Sequence, residues 1–119
     1  MAKQSQVDLV QGTLDMLVLR ALQGEPAHGF AIARHILAAS SEHLRVEEGS
    51  LYPALHRMER RGWIESEWGL SEANRRAKYY RLTSSGRKQL KAEVARWNRM
   101  VEAIDAVLNF AHRETSPCL

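Results

Sequence analysis

The sequence predicts a mainly α fold carrying one small β hairpin, and three observations lead there. Apolar residues recur at helical spacing in four separate stretches. Two short segments between the third and fourth stretches are rich in tryptophan and tyrosine and begin to alternate. Only 3 Pro and 7 Gly punctuate 119 residues, so long elements go unbroken. A chain of this length with 45% apolar residues has room for one core and little for a second.

The elements follow in order. Thr13 is a candidate N-cap for a helix to about Gln23, with Leu14, Leu17, Val18, Ala21 and Leu22 on one stripe and Gly24 and Pro26 ending it. Phe30, Ile32, Ala33, Ile36 and Leu37 predict a second helix to about Ala39, followed by a polar connection, Ser40 to His43. A brief extended piece at Leu44 to Val46 leads to Ser50, which can cap a third helix that ends at Gly62 and tolerates Pro53 in its first turn. There Leu51, Leu55 and Met58 point inward, leaving Tyr52, His56, Arg57, Arg60 and Arg61 outside.

Trp63 to Trp68 and Lys78 to Leu82 pair as the hairpin, whose connection, Gly69 to Ala77, carries Asn74, Arg75 and Arg76 as a basic wing. Thr83 or Ser84 caps a last helix to about His112. Along it Leu90, Val94, Trp97, Val101, Ile104 and Leu108 recur at steps of 4, 3, 4, 3 and 4, the spacing of a packed helical seam. Such a seam packs on a partner helix or on the first helix of its own chain. The expected organisation is one unit at residues 9–83, the long helix at 84–112 and a disordered tail at 113–119.

The net charge of +3 conceals an asymmetry. Residues 1–48 hold 4 bases and 6 acids, residues 49–91 hold 10 and 4, and residues 92–119 hold 3 and 4. Clustered cations are what polyanion binding requires; a solvated face, partly neutralised by Glu59, Glu65, Glu67 and Glu72, is the alternative. Other functions find little support. The lone Cys118 excludes an intrachain disulfide framework. No signal segment, lipid box or membrane-length apolar run is evident, so a cytoplasmic protein is expected. His28 and His35 lie seven apart without a nearby cysteine or helical carboxylate, and Glu47 and Glu48 are mere neighbours. Neither a metal, a cofactor nor an enzymatic nucleophile with its base is expected.

Helix, helix, short strand, helix and basic hairpin is the order of a winged helix-turn-helix, whose third helix enters the DNA major groove while the wing meets the backbone or minor groove. The expected DNA contacts are Ser50, Tyr52, His56, Arg57, Arg61, Arg75, Arg76 and Lys78, most of them to phosphate. A winged-helix module that binds another protein is the alternative, and cation clustering on the third helix and hairpin favours DNA.

A family resemblance rests on Gly12-Thr13-Leu14-Asp15, Pro26-Ala27-His28-Gly29-Phe30, Gly49-Ser50-Leu51-Tyr52-Pro53-Ala54-Leu55, Lys78-Tyr79-Tyr80-Arg81-Leu82-Thr83 and Gly86. Over roughly residues 11 to 100 the chain resembles the PadR family of transcriptional regulators. Phe30 departs from the usual tyrosine, and His56 stands where a lysine is common. The resemblance implies a homodimeric winged-helix repressor of a palindromic double-stranded DNA operator, joined through the C-terminal helix; the seam read above agrees. It also implies a small planar or apolar effector, since Trp97 is placed like a tryptophan that lines an apolar channel between subunits in some compact members. Leu17, Val94, Met100 and Val101 are its neighbours by spacing. A tryptophan at such a position is more often plain interface core.

Overall fold

The structure, a computed structural model, describes residues 11–114. In chain order it comprises α1 (Gln11–Ala21), β1 (Ala27–His28), α2 (Gly29–Ala39), α3 (Glu48–Arg60), β2 (Ile64–Leu70), β3 (Arg76–Leu82) and α4 (Ser84–Glu114). The mainly α fold with a small β element is thus present as the sequence implies. Three antiparallel strands form a sheet in the order β1-β3-β2, with Ala27 opposite Tyr80 and Ile64 opposite Leu82.

One apolar core holds the helices on this sheet. Leu14, Val18, Leu19 and Leu22 from the α1 region, Ile32 and Ile36 from α2, and Leu51, Ala54, Leu55 and Met58 from α3 meet Ile64, Tyr80, Leu82 and Leu90. The α3 set falls at i, i+3, i+4 and i+7, one face of a helix. Thr83 caps α4 as expected: its Oγ1 accepts from the Gly86 amide at 3.0 Å and donates to the Gly62 carbonyl at 2.6 Å. No helix among the described residues is long and apolar enough to cross a membrane.

Several local expectations are corrected. α1 starts at Gln11, so Thr13 is a helical residue and not the cap. Leu44 to Val46 forms no strand; Val46 is drawn into the core, and the free edge of β3 takes Ala27 and His28 instead. α3 starts at Glu48, which makes Ser50 its third residue; Glu47 occupies the cap position without a side-chain hydrogen bond, and Pro53 sits a turn further in than expected. Phe30 is 61% exposed, because Ile32 and Ile36 take the core side of α2. The strands run longer than the sequence suggested, leaving Ser71 to Arg75 as the turn. α4 reaches Glu114, two residues into the expected tail; residues 115–119 lie outside those described.

Candidate nucleic-acid interface

By burying Leu51, Ala54, Leu55 and Met58, α3 turns Ser50, Tyr52, His56 and Arg60 to the exterior, with Arg61 exposed just beyond its end. Tyr52, 45% exposed, lies across the start of α2: a Cβ added at Gly29 would stand 2.6 Å from its hydroxyl oxygen. Glycine at 29 therefore lets the tyrosine close the α2–α3 junction.

Arg57 does not join this face. Its Nη2 donates to Asp15 Oδ1 of α1 at 2.6 Å, and its Nε is buried without a partner. The expectation that Arg57 points outward with its neighbours is corrected by this pairing across 42 positions of sequence. Burial pushes the Asp15 carboxyl above its ordinary value; the Arg57 guanidinium pulls it back, Glu93 of α4 raises it further, and Arg61 lowers it.

The hairpin register makes the two faces of the wing chemically different. Ile64, Ser66, Trp68 and Leu70 of β2 stand opposite Leu82, Tyr80, Lys78 and Arg76 of β3. On this face Ile64, Tyr80 and Leu82 are buried at the base, while Trp68, Leu70 and Arg76 are exposed farther out and Lys78 is half-buried. Lys78 Nζ lies 3.6 Å from Glu59 Oε1, so part of its charge is spent within the chain. The other face carries Glu65, Glu67 and Arg81, with Arg81 Nε donating to Glu65 Oε2 at 2.8 Å and its Nη1 lying 3.8 Å from Glu67. That face spends its one cation on two carboxylates and stays net acidic. At the tip, Ser71 donates to the Arg75 carbonyl at 2.8 Å, Asn74 adopts φ 62°, and the Arg75 side chain is exposed.

Between the wing's cationic face and the start of α2 lies an open groove of about 1200 Å³, whose lining includes His28, Phe30, Arg34, Tyr52, Trp68 and Arg76. His28 Nδ1 accepts from the Ala31 amide at 3.1 Å, capping α2, and its ring meets Tyr79 edge-on at 5.3 Å. The Arg34 guanidinium stands 5.7 Å over the Phe30 ring. Ser50, His56 and Arg61 do not line the groove. Sequence reasoning missed Phe30, Arg34 and Trp68 here. Their signals were present: Arg34 follows Phe30 by one helical turn, and strand alternation puts Trp68 on the face of Ile64. Trp63 lies against the core, under Arg61 at 5.2 Å.

Of the residues expected along the C-terminal seam, Leu90 is corrected: at 5% exposure it belongs to the core of its own chain, where α4 crosses α1. Val94, Trp97, Val101, Ile104 and Leu108 are exposed beyond it, as is Met100, while Leu17 packs partly buried on α1.

The model of the transcriptional regulator PadR-like family matches residues 18–92. The chain is 31% identical over 98 residues to an uncharacterized protein of Lysinibacillus sphaericus, spanning 82% of this chain and 90% of the relative. Among solved structures it is similar to a transcriptional regulator from Clostridium thermocellum at 30% identity and TM-score 0.76, covering 84% of this chain and 97% of that one. A PadR family transcriptional regulator from Eggerthella lenta is 36% identical at TM-score 0.70, covering 82% and 83%.

Proposed function

Because the chain belongs to the PadR-like family of transcriptional regulators, we propose that it is a homodimeric repressor reading a palindromic DNA operator with two α3 helices and two wings. The observation that carries this is the distribution of cations over two exposed elements. Arg60 and Arg61 lie at the end of α3 and just beyond it, and Arg75 and Arg76 lie on the wing, while the one cation of the wing's opposite face is taken up by two carboxylates. A helix of this kind fits the major groove, and the wing reaches flanking backbone. Ser50, Tyr52, His56 and Arg61 contact DNA from α3, and Arg75, Arg76 and Lys78 contact it from the wing, chiefly at phosphates. Arg57 is left out, since Asp15 holds it.

The partner subunit covers the exposed residues Val94 to Leu108 of α4. A small planar or apolar effector stacks on Trp97, next to Val94, Met100, Val101 and the partly buried Leu17 of α1, and releases the operator. A compound that dissociates the wild-type operator complex but not that of Trp97→Ala would identify the effector; equal release from both would remove Trp97 from its site.

The decisive experiment is selection of bound sequences from a random duplex pool, followed by a salt series on the winner. An inverted repeat with half-sites about one helical turn apart is expected. Replacing Arg75 and Arg76 by alanine should weaken binding on all sequences and reduce the log–log salt slope by about 1.8, at roughly 0.9 per phosphate contact. An unchanged slope would take the wing out of the interface, and recovery of no sequence would favour a protein-binding module.

A further inference from the structure

Trp68 is a large apolar side chain left 55% exposed on the wing, on the face that lines the groove. It is not bare. The Arg76 guanidinium stands 4.4 Å from the centre of its ring, and Lys78 Nζ stands 6.0 Å from it. The register explains both contacts, since Lys78 is the direct cross-strand partner of Trp68 and Arg76 faces Leu70, one step along the same face.

The two cations are not equivalent. Lys78 also lies 5.9 Å from the Tyr80 ring and 3.6 Å from Glu59, so its position and charge are shared among three neighbours. Arg76 forms no ion pair among the described residues, and the indole is the partner that holds it. An arginine on a bare strand keeps its rotamer freedom until it meets a phosphate and loses it there. Stacked on an indole, the guanidinium has surrendered much of that freedom beforehand, while the donors around its edge stay available.

We propose that Trp68 is a positioning residue for DNA binding, a platform that holds Arg76 extended toward the groove so that its guanidinium meets the DNA backbone preorganised. This rests on the DNA-binding reading above and extends it to a side chain that carries no charge. The groove position matters: Tyr52 reaches the same groove from α3, so Trp68 and Arg76 line it together with a residue of the other element proposed to contact DNA.

The test is a double-mutant cycle on the full chain with a labelled mixed-sequence duplex at one low salt concentration. Trp68→Leu keeps apolar bulk and removes the ring face; it should weaken binding by about 2- to 30-fold. In an Arg76→Gln background the same change should cost less than about 2-fold, because the residue through which it acts is gone. Trp68→Tyr should retain most of the affinity, and it carries the comparison if the leucine variant has a lowered urea midpoint. Additive effects of Trp68→Leu and Arg76→Gln, or a tyrosine variant as weak as the leucine one, would overturn the role of Trp68 alone. A wild-type chain that binds no duplex would overturn the DNA reading and this inference with it.

Discussion

Burial lifts the Asp15 carboxyl above its ordinary 3.8, because desolvating a residue only 6% exposed outweighs the attraction of Arg57 at 2.6 Å. A carboxyl with a raised folded value binds its proton more tightly in the folded chain than in the unfolded one. Its contribution to stability therefore falls as pH rises from 3.8 through the folded value, and is constant above it. Asp15→Asn should remove that fall. Urea midpoints of wild type and variant, followed from about pH 3 to pH 7, should diverge in favour of the variant as pH rises; a constant difference would mean that charging Asp15 costs the fold nothing. The same pair shows where single-residue reading ends. Helical spacing leaves Arg57 on the rim between the buried and exposed faces of α3, and only a partner 42 positions away decides which side it takes. Tyr52 was legible because its neighbours Leu51, Ala54 and Leu55 fix the buried face.

The strongest local signals are those written into contiguous residues, and the elements that rest on them were legible. The buried stripe of α3, the hairpin strands and the Thr83 cap each follow from residues within a few positions of one another. β1 was not legible, because two residues show no alternation; Ala27 and His28 are a strand only by virtue of the β3 edge that lies beside them. The start of α4 shows how a motif glycine works at this scale. A Cβ on Gly86 would stand 2.0 Å from the Trp63 carbonyl oxygen and 3.1 Å from a Leu82 methyl, so the close docking of this helix against the end of α3 and the β2 entry depends on an absent side chain. Because the obstacle at Trp63 is backbone, it cannot swing aside. Gly86→Ala should lower the free energy of unfolding by about 3 kcal/mol, the upper range of overpacking, despite alanine's better helix propensity. A thermal or urea melt checks the sign. Stabilisation instead would show that the helix start can shift without cost.

A soluble domain of about 100 residues has a radius of gyration near 13 Å, whereas this chain has 17.8 Å and spans 66 × 37 × 21 Å. The excess comes from α4, whose 31 residues extend about 46 Å and outrun the core that Leu90 anchors. Past that anchor, Val94, Trp97, Val101, Ile104 and Leu108 continue the same stripe with no covering element among the described residues. Exposed stripes of this kind mark association surfaces, and a helix that presents one at steps of three and four is suited to pack on another helix. A second copy would also fit the palindromic operator proposed above, since two-fold symmetry in the protein is what an inverted repeat matches. Ile104 is exposed on α4 about 21 Å along the helix from Leu90, at roughly 1.5 Å per residue, and is none of the proposed DNA contacts. Ile104→Glu should therefore place a charge in the proposed subunit interface while leaving the fold and the wing intact. The expected outcome is a dimer-to-monomer shift in sedimentation at micromolar concentration, with operator affinity falling toward that for random duplex and the urea midpoint of the winged unit unchanged. A variant that remained dimeric would place the interface elsewhere. A monomer that still bound the inverted repeat at wild-type affinity would separate association from recognition.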